Sequence, residues 1–210
     1  MAYRETDRVR ERKQATRETI VTTALTLVSE GGFNGLQMAQ LARQSGVATG
    51  TLYRYFPSKE ELCTAVFEYA TEIEVAQVQQ QLQESQQNIP EAIANALTTF
   101  ATRALKAPTT AWALIAEPVA PEVVAARLHY RERYAGLFAQ AIADGIAAGS
   151  LPEQDSNLSS RALVGAIAEA LIGPLAQHSS AAPEQAIAHS IQFCLQAITA
   201  KPYSMTRSSS

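Results

Sequence analysis

Alanine dominates this chain at the expense of the two residues that break helices. There are 38 alanines among 210 residues, against 10 glycines and 9 prolines. Alanine is the best helix former, while Gly and Pro cost about 1 and 3 kcal/mol more in a helix interior. A chain weighted this way is expected to be all-α. Its apolar fraction of 47% is enough for one large core or two small ones, and 18% charged residues exclude a disordered polyelectrolyte. Cys63 and Cys194 lie far apart and form neither a disulfide framework nor a zinc spacing, which suits a reducing compartment. The opening residues carry no apolar stretch of the kind a secretory leader needs. Ala162 to Ala176 is the most membrane-like run, but it is short of the roughly 20 residues of a span and holds Glu169. The expectation is a soluble, cytoplasmic protein with no membrane partner.

Charge is distributed unevenly. The whole chain carries a formal charge of -3. Residues 1–60 nevertheless carry a net +3, from nine Lys/Arg against six Asp/Glu, and the remainder carries -6. A basic head on an acidic body keeps nucleic acid open as a partner, where a uniform charge of this sign would argue against it.

Helical periodicity sets the organisation. Ile20, Ala24, Leu27 and Val28 lie on one helix face, and Gly31-Gly32 ends that pattern. A short helix with Met38, Leu41 and Ala42 stops at Ser45-Gly46. Val47 to Phe56 forms about two more turns, and Pro57 ends them. Ser58 and Glu61 then form a capping box that opens a long helix. Leu62, Val66, Tyr69 and Ile73 are read as its inward face, and the Gln-rich run to Gln87 as its solvated continuation. Further helices are expected from Pro90, between Pro108 and Pro118, from Pro121 to Gly149, from Leu158 to Gln177 and from Pro183 to Ala200. In the long one from Pro121, Leu128 is read as inward. The count is nine helices and no strand. The tail 201–210 carries no pattern and is expected to be disordered.

A short helix, a tight turn at Gly46 and a second short helix make a helix-turn-helix pattern, in which the second helix enters the major groove. That helix displays Thr49, Gly50, Thr51, Tyr53, Arg54 and Tyr55. Threonine suits base edges, tyrosine donates to phosphate, and Gly50 lets backbone approach DNA closely. Lys59 opens the next helix, where a cation opposes the dipole unless a phosphate binds there. Leu52 and Phe56 are read as core.

The string from Leu41 to Leu62, with Gly50-Thr-Leu-Tyr-Arg-Tyr-Phe-Pro-Ser-Lys59 at its centre, resembles the DNA-binding signature of the TetR family of bacterial transcriptional regulators. The resemblance covers about the first quarter of the chain. It implies an all-α, two-part architecture with a three-helix head over residues 1–58 and a helical effector-binding and dimerisation body over 59–200. It also implies a homodimer on a palindromic double-stranded operator, most often a repressor released by a small-molecule effector. Two positions depart from the pattern: Gln37 and Ala48 stand where the family often has a hydroxyl that caps a helix or touches phosphate.

The body offers two further sets of candidates. Phe100, Trp112, Glu117, Arg127 and Tyr134 have the mixture of aromatic walls and few polar groups that an effector pocket requires, although an aromatic set at helical spacing is also ordinary core. Ala162, Gly165, Ala166, Ala170 and Gly173 are small residues that permit close helix approach, and by resemblance the last two helices, with Cys194, form a dimer interface. Pro174 is expected to kink or end the first of the two. His129, His178 and His189 have no metal-box spacing, and no nucleophile elbow, phosphate loop or dinucleotide fingerprint occurs. Neither metal, cofactor nor enzyme activity is therefore expected. The competing reading is a helical ligand-binding or interaction protein whose head does not read specific DNA.

Overall fold

The structure is a computed structural model, and it describes residues 7–84, 87–177 and 183–200. Among the described residues there are nine helices and no strand. They are α1 (Asp7–Gly35), α2 (Met38–Gln44), α3 (Thr49–Tyr55), α4 (Lys59–Glu84), α5 (Ile89–Lys106), α6 (Pro108–Ile115), α7 (Pro121–Ala147), α8 (Ser156–Gln177) and α9 (Pro183–Thr199). The expected disordered tail and His178 lie outside the described residues.

Two compact units form. The first gathers α1 to α3, α4 as far as Ile73, α6, and α7 as far as Leu128; the second holds the rest. This grouping differs from a cut at residue 58, because α4 and α7 each contribute to both units. That sharing explains a misreading of α4. Tyr69 and Ile73 are each 40% exposed, whereas Phe67, Ala70, Val75 and Val78 are buried. A helix serving one core keeps one buried stripe; α4 serves two, so its stripe rotates along its length. Leu128, at the changeover in α7, is likewise exposed.

In the first unit Ile20, Ala24, Leu27 and Val28 are buried as the periodicity requires, with Leu41, Leu52, Phe56, Leu62 and Val66. α1 starts at Asp7, well before that apolar stripe, and runs past Gly31. Its break falls at Gly32, where φ is 67° and ψ is -175°. The kink packs against the segment after α6: the Phe33 and Asn34 N–H groups donate to the two carboxylate oxygens of buried Glu117, each at 2.9 Å. A Cβ on Gly32 would stand 2.7 Å from Glu117 Oε2. Only glycine permits both the backbone angle and that approach.

The second unit packs α5 with α8 and α9 through Ile93, Leu97, Leu163, Ile167, Leu171, Ile187, Ile191 and Ile198. Gly149, at φ 71°, ends α7. Gly145 is needed for a different reason, since a Cβ there would meet Leu151 Cδ1 at 2.7 Å. α8 continues through Pro174 to Gln177, so the proline does not end it; lacking an N–H, it forgoes only the bond to Ala170 O. Glu74 of α4 and Arg103 of α5 form a bidentate pair at 2.6 and 2.7 Å, which holds the guanidinium charged above its ordinary range.

Candidate nucleic-acid interface

α2 ends in a Schellman motif. Gly46 takes φ 70°, its N–H donates to Arg43 O, and the Val47 N–H reaches back to Ala42 O at 3.1 Å. This turn reorients the chain in two residues and delivers it to α3. Neither α2 nor α3 has a side-chain cap: Gln37 and Ala48 hold extended conformations and make no capping bond. The two sequence departures thus have a local consequence. α3 starts on backbone alone, with Thr51 and Leu52 N–H donating to Ala48 O. Its stop is equally economical, as Phe56 leaves the helix with φ -136° and its N–H on Leu52 O.

Burial divides α3 into two sides. Leu52 and, just after the helix, Phe56 are core, which anchors α3 to the head. Thr49, Gly50, Tyr53 and Arg54 are exposed, while Thr51, Tyr55 and Lys59 are half-buried. Tyr53 is 44% exposed, a large aromatic turned toward solvent with a phenol at its tip. A Cβ added at Gly50 meets nothing within 4 Å. Among the described residues none would be met by a side chain there, and the bare backbone faces outward. Ser58 Oγ accepts the Glu61 N–H at 3.1 Å, which supplies the expected cap of α4 and sets Lys59 in its first turn.

Residues 20–66 match the family model described as bacterial regulatory proteins, tetR family. Over those residues the chain carries the DNA-binding head of the TetR family. Curated relatives match over segments of similar length. The transcriptional repressor KstR of Rhodococcus jostii is 50% identical over 46 residues, which is 22% of this chain and 22% of that protein. The fatty acid metabolism regulator protein of Bacillus subtilis is 38% identical over 48 residues, or 23% and 25% of the two chains. The chain thus spans about a quarter of the length of these relatives. Among solved structures, FadR of Bacillus subtilis in complex with stearoyl-CoA has a TM-score of 0.74 at 19% identity, over 86% of this chain and 98% of that one. A putative tetR family regulator from Shewanella sp. PV-4 gives 0.67 at 24%, over 89% and 99%. At those identities the likeness establishes the TetR architecture of head and helical body.

The expected effector residues are divided between the two units. Phe100 and Tyr134 meet in the second, edge to face, with centroids 5.8 Å apart. Trp112, Glu117 and Arg127 belong to the first. Both oxygens of Glu117 accept backbone N–H groups, and the Arg127 guanidinium donates to the carbonyls of Ala113 at 2.6 Å and Leu114 at 3.0 Å. Arg127 thus closes the end of α6 and Glu117 holds the kink of α1, roles that no local spacing in the sequence discloses. The nearest signal is Gly32, whose break in the helix leaves the Phe33 and Asn34 N–H groups in need of acceptors.

The small-residue set of α8 also divides. Ala162, Gly165 and Gly173 are exposed, and a Cβ at either glycine meets nothing within 4 Å. Ala166 is half-buried, and Ala170 turns inward to line a narrow gap with Leu105, Ile167 and Ile187. Cys194 is placed differently from these. It is 3% exposed, and burial raises its thiol pKa, so it belongs to the unit's own core. Its neighbour Phe193 is the exposed one, at 63%. In the helix repeat, adjacent residues point about 100° apart, which is enough to exchange core for surface.

Proposed function

We propose that this TetR-family chain is a homodimeric transcriptional repressor that reads a palindromic operator with α3 and is released by a small molecule. The observation that carries the DNA-binding part is the outward side of α3. Thr49, Gly50, Tyr53 and Arg54 share it, on a helix fixed from behind by Leu52 and Phe56. Thr49 and Thr51 are assigned to base edges, and Tyr53, Arg54, Tyr55 and Lys59 to phosphates. The repressor role is supported by the KstR relatives, which are named as repressors.

Dimerisation is supported by α8. Ser156–Ala176 has the length and mean hydropathy, 1.3, of a membrane span, yet only 28% of it is buried. Leu158, Ala162, Gly165 and Gly173 fall on its exposed side, and Phe193 supplies an exposed aromatic on α9. A second copy is the proposed cover for this surface, and a cytoplasmic regulator is the setting it implies. The effector is assigned to the second unit around the Phe100–Tyr134 pair. α4 supplies a continuous helix from Lys59 at the DNA-binding end to residues of that unit, so differential ligand affinity has an element to act through.

The test is footprinting on the DNA upstream of the chain's own gene, with sedimentation at micromolar concentration. Protection of an inverted repeat and a mass near twice 22.6 kDa are expected. Lys59→Ala should lower the salt slope of binding by about 1.8 for a dimer, at about 0.9 per phosphate contact. A monomer that protects no repeat refutes the reading. Long-chain acyl-CoA belongs in the release screen, because the FadR structure of the same fold holds stearoyl-CoA.

A further inference from the structure

α1 contains a stretch with no packing reason to be helical. From Asp7 to Thr19 every residue is exposed except half-buried Thr16, and the first buried residue is Ile20. At 1.5 Å per residue this stretch reaches roughly 20 Å beyond the head's core.

Its charges are sorted by face. Asp7, Glu11 and Glu18 recur at i, i+4 and i+11, with Gln14 between them on the same stripe and bonded to Glu18 at 2.8 Å. Arg10, Lys13 and Arg17 recur at i, i+3 and i+7 on another stripe, and Arg8 and Arg12 lie on a third. Continued along the helix, the Arg10–Lys13–Arg17 stripe becomes Val21, Ala24 and Val28, the buried side of α1. The structure fixes where that stripe points. The Arg17 guanidinium sits 5.1 Å over the ring of Phe56, the residue that ends α3. Lys13 and Arg10 stand one and two turns further out on the side of α1 that carries the reading helix. The Asp7–Arg10 pair, at 3.6 Å and highly exposed, is too weak to withhold Arg10 from a stronger anion.

We propose that the Arg10–Lys13–Arg17 stripe is a second DNA-contact surface, gripping phosphates of the duplex that flanks the segment read by α3. The inference rests on the reading of α3 as the DNA-binding helix. B-DNA presents a negative charge every 1.7 Å or so of its axis, so cations one turn apart along a helix find phosphates without any base readout. The stripe contributes affinity and a longer footprint, while specificity stays with α3.

The experiment uses the full chain and a duplex of about 40 base pairs that the wild type selects from a random-sequence pool. A shorter duplex carries only the selected inverted repeat. The Arg10→Ala/Lys13→Ala variant keeps Arg17 on Phe56, and alanine preserves the helix, which circular dichroism checks. Two contacts in each of two protomers predict a salt slope lower by up to about 3.6 on the long duplex. On the short duplex the variant should match the wild type, and its footprint on the long one should shrink at both ends. Arg8→Ala/Arg12→Ala removes equal charge from the other stripe and should leave the slope unchanged. A fall below about 0.9 on the long duplex overturns the proposal. So does an equal fall in the Arg8/Arg12 variant, or the same fall on both duplexes. A wild type that selects no duplex overturns the reading of α3 and this proposal together.

Discussion

Glu117 holds the kink of α1, and replacing it with glutamine isolates that role. The carboxylate is 4% exposed and accepts Phe33 N–H and Asn34 N–H, one on each oxygen. Glutamine has the same shape but offers one oxygen and one NH2. Whichever way the amide turns, a donor then faces a donor. One bond is lost with its N–H left buried, at about 1–3 kcal/mol, and the other falls from a charged to a neutral bond, about 1 kcal/mol. Relief from burying a carboxylate offsets part of this, and Asn34 is exposed enough to regain water. The expected loss is therefore about 2 kcal/mol. Trp112 is the only tryptophan, and its carbonyl accepts the Glu117 N–H at 2.9 Å, so its emission reports this junction during urea unfolding. At about 2 kcal/mol per molar of urea, the midpoint should fall by about 1 M. A second measurement separates the bond from the strain. Gly32→Ala places a Cβ 2.7 Å from Oε2 as well as forcing a backbone angle reserved for glycine. In a Glu117→Ala background only the angle remains, so Gly32→Ala should cost less there than in the wild type. A Glu117→Gln midpoint within about 0.2 M of wild type, or strict additivity in that cycle, would refute the assignment.

Gly50→Ala should leave the fold intact, even gaining up to about 1 kcal/mol of helix propensity, while sharply weakening operator binding; normal binding would show that no backbone approach occurs there. Gly165→Arg should yield a folded monomer by sedimentation, because arginine is the better helix former and, in the proposed dimer, the open space at Gly165 is filled by the second copy; a dimer of normal mass would place the interface elsewhere. Burial, opposed by the charge of Lys59, pushes the Cys63 thiol from near 9 up to about 11. The folded state thus holds that proton more tightly, so its stabilising share is whole below pH 9 and is lost as pH rises towards 11. The share is about 3 kcal/mol, and Cys63→Ala should flatten that part of the stability–pH curve; an unchanged slope removes the thiol from the account. Thr71 is 6% exposed, and its hydroxyl has no hydrogen-bond partner among the described residues, unlike Thr64 on the same helix, which bonds Glu60 O at 2.9 Å. Thr71→Val should therefore raise the unfolding midpoint by roughly 1 kcal/mol equivalent, and a lowered midpoint would reveal a partner for the hydroxyl.

The head was legible because its signals are local. Gly46 marks a left-handed C-cap, Ser58 an N-cap and Pro57 a helix limit, and each acts through bonds within five residues. The side of α3 turned to solvent follows from Leu52 and Phe56 alone, as helix geometry fixes the rest. The helices of the body were legible for the same reason, through periodicity between prolines and glycines. Their faces were less so, as Tyr69, Ile73 and Leu128 show.

What the sequence determined by itself is therefore a set of helices, their stops and one DNA-reading motif, all written in contacts at i+3 and i+4. What tertiary structure decided is which side of each helix has a neighbour. Glu117 reaches Phe33 across 84 positions of chain, and Arg161 clasps Glu132 across 29. A periodic stripe states that a face is apolar without naming what covers it. Cys194 and Phe193, adjacent in sequence, were sorted into core and surface only when α9 met α5 and α8. Burial belongs to a pair of surfaces, and a single chain position carries only half of that information.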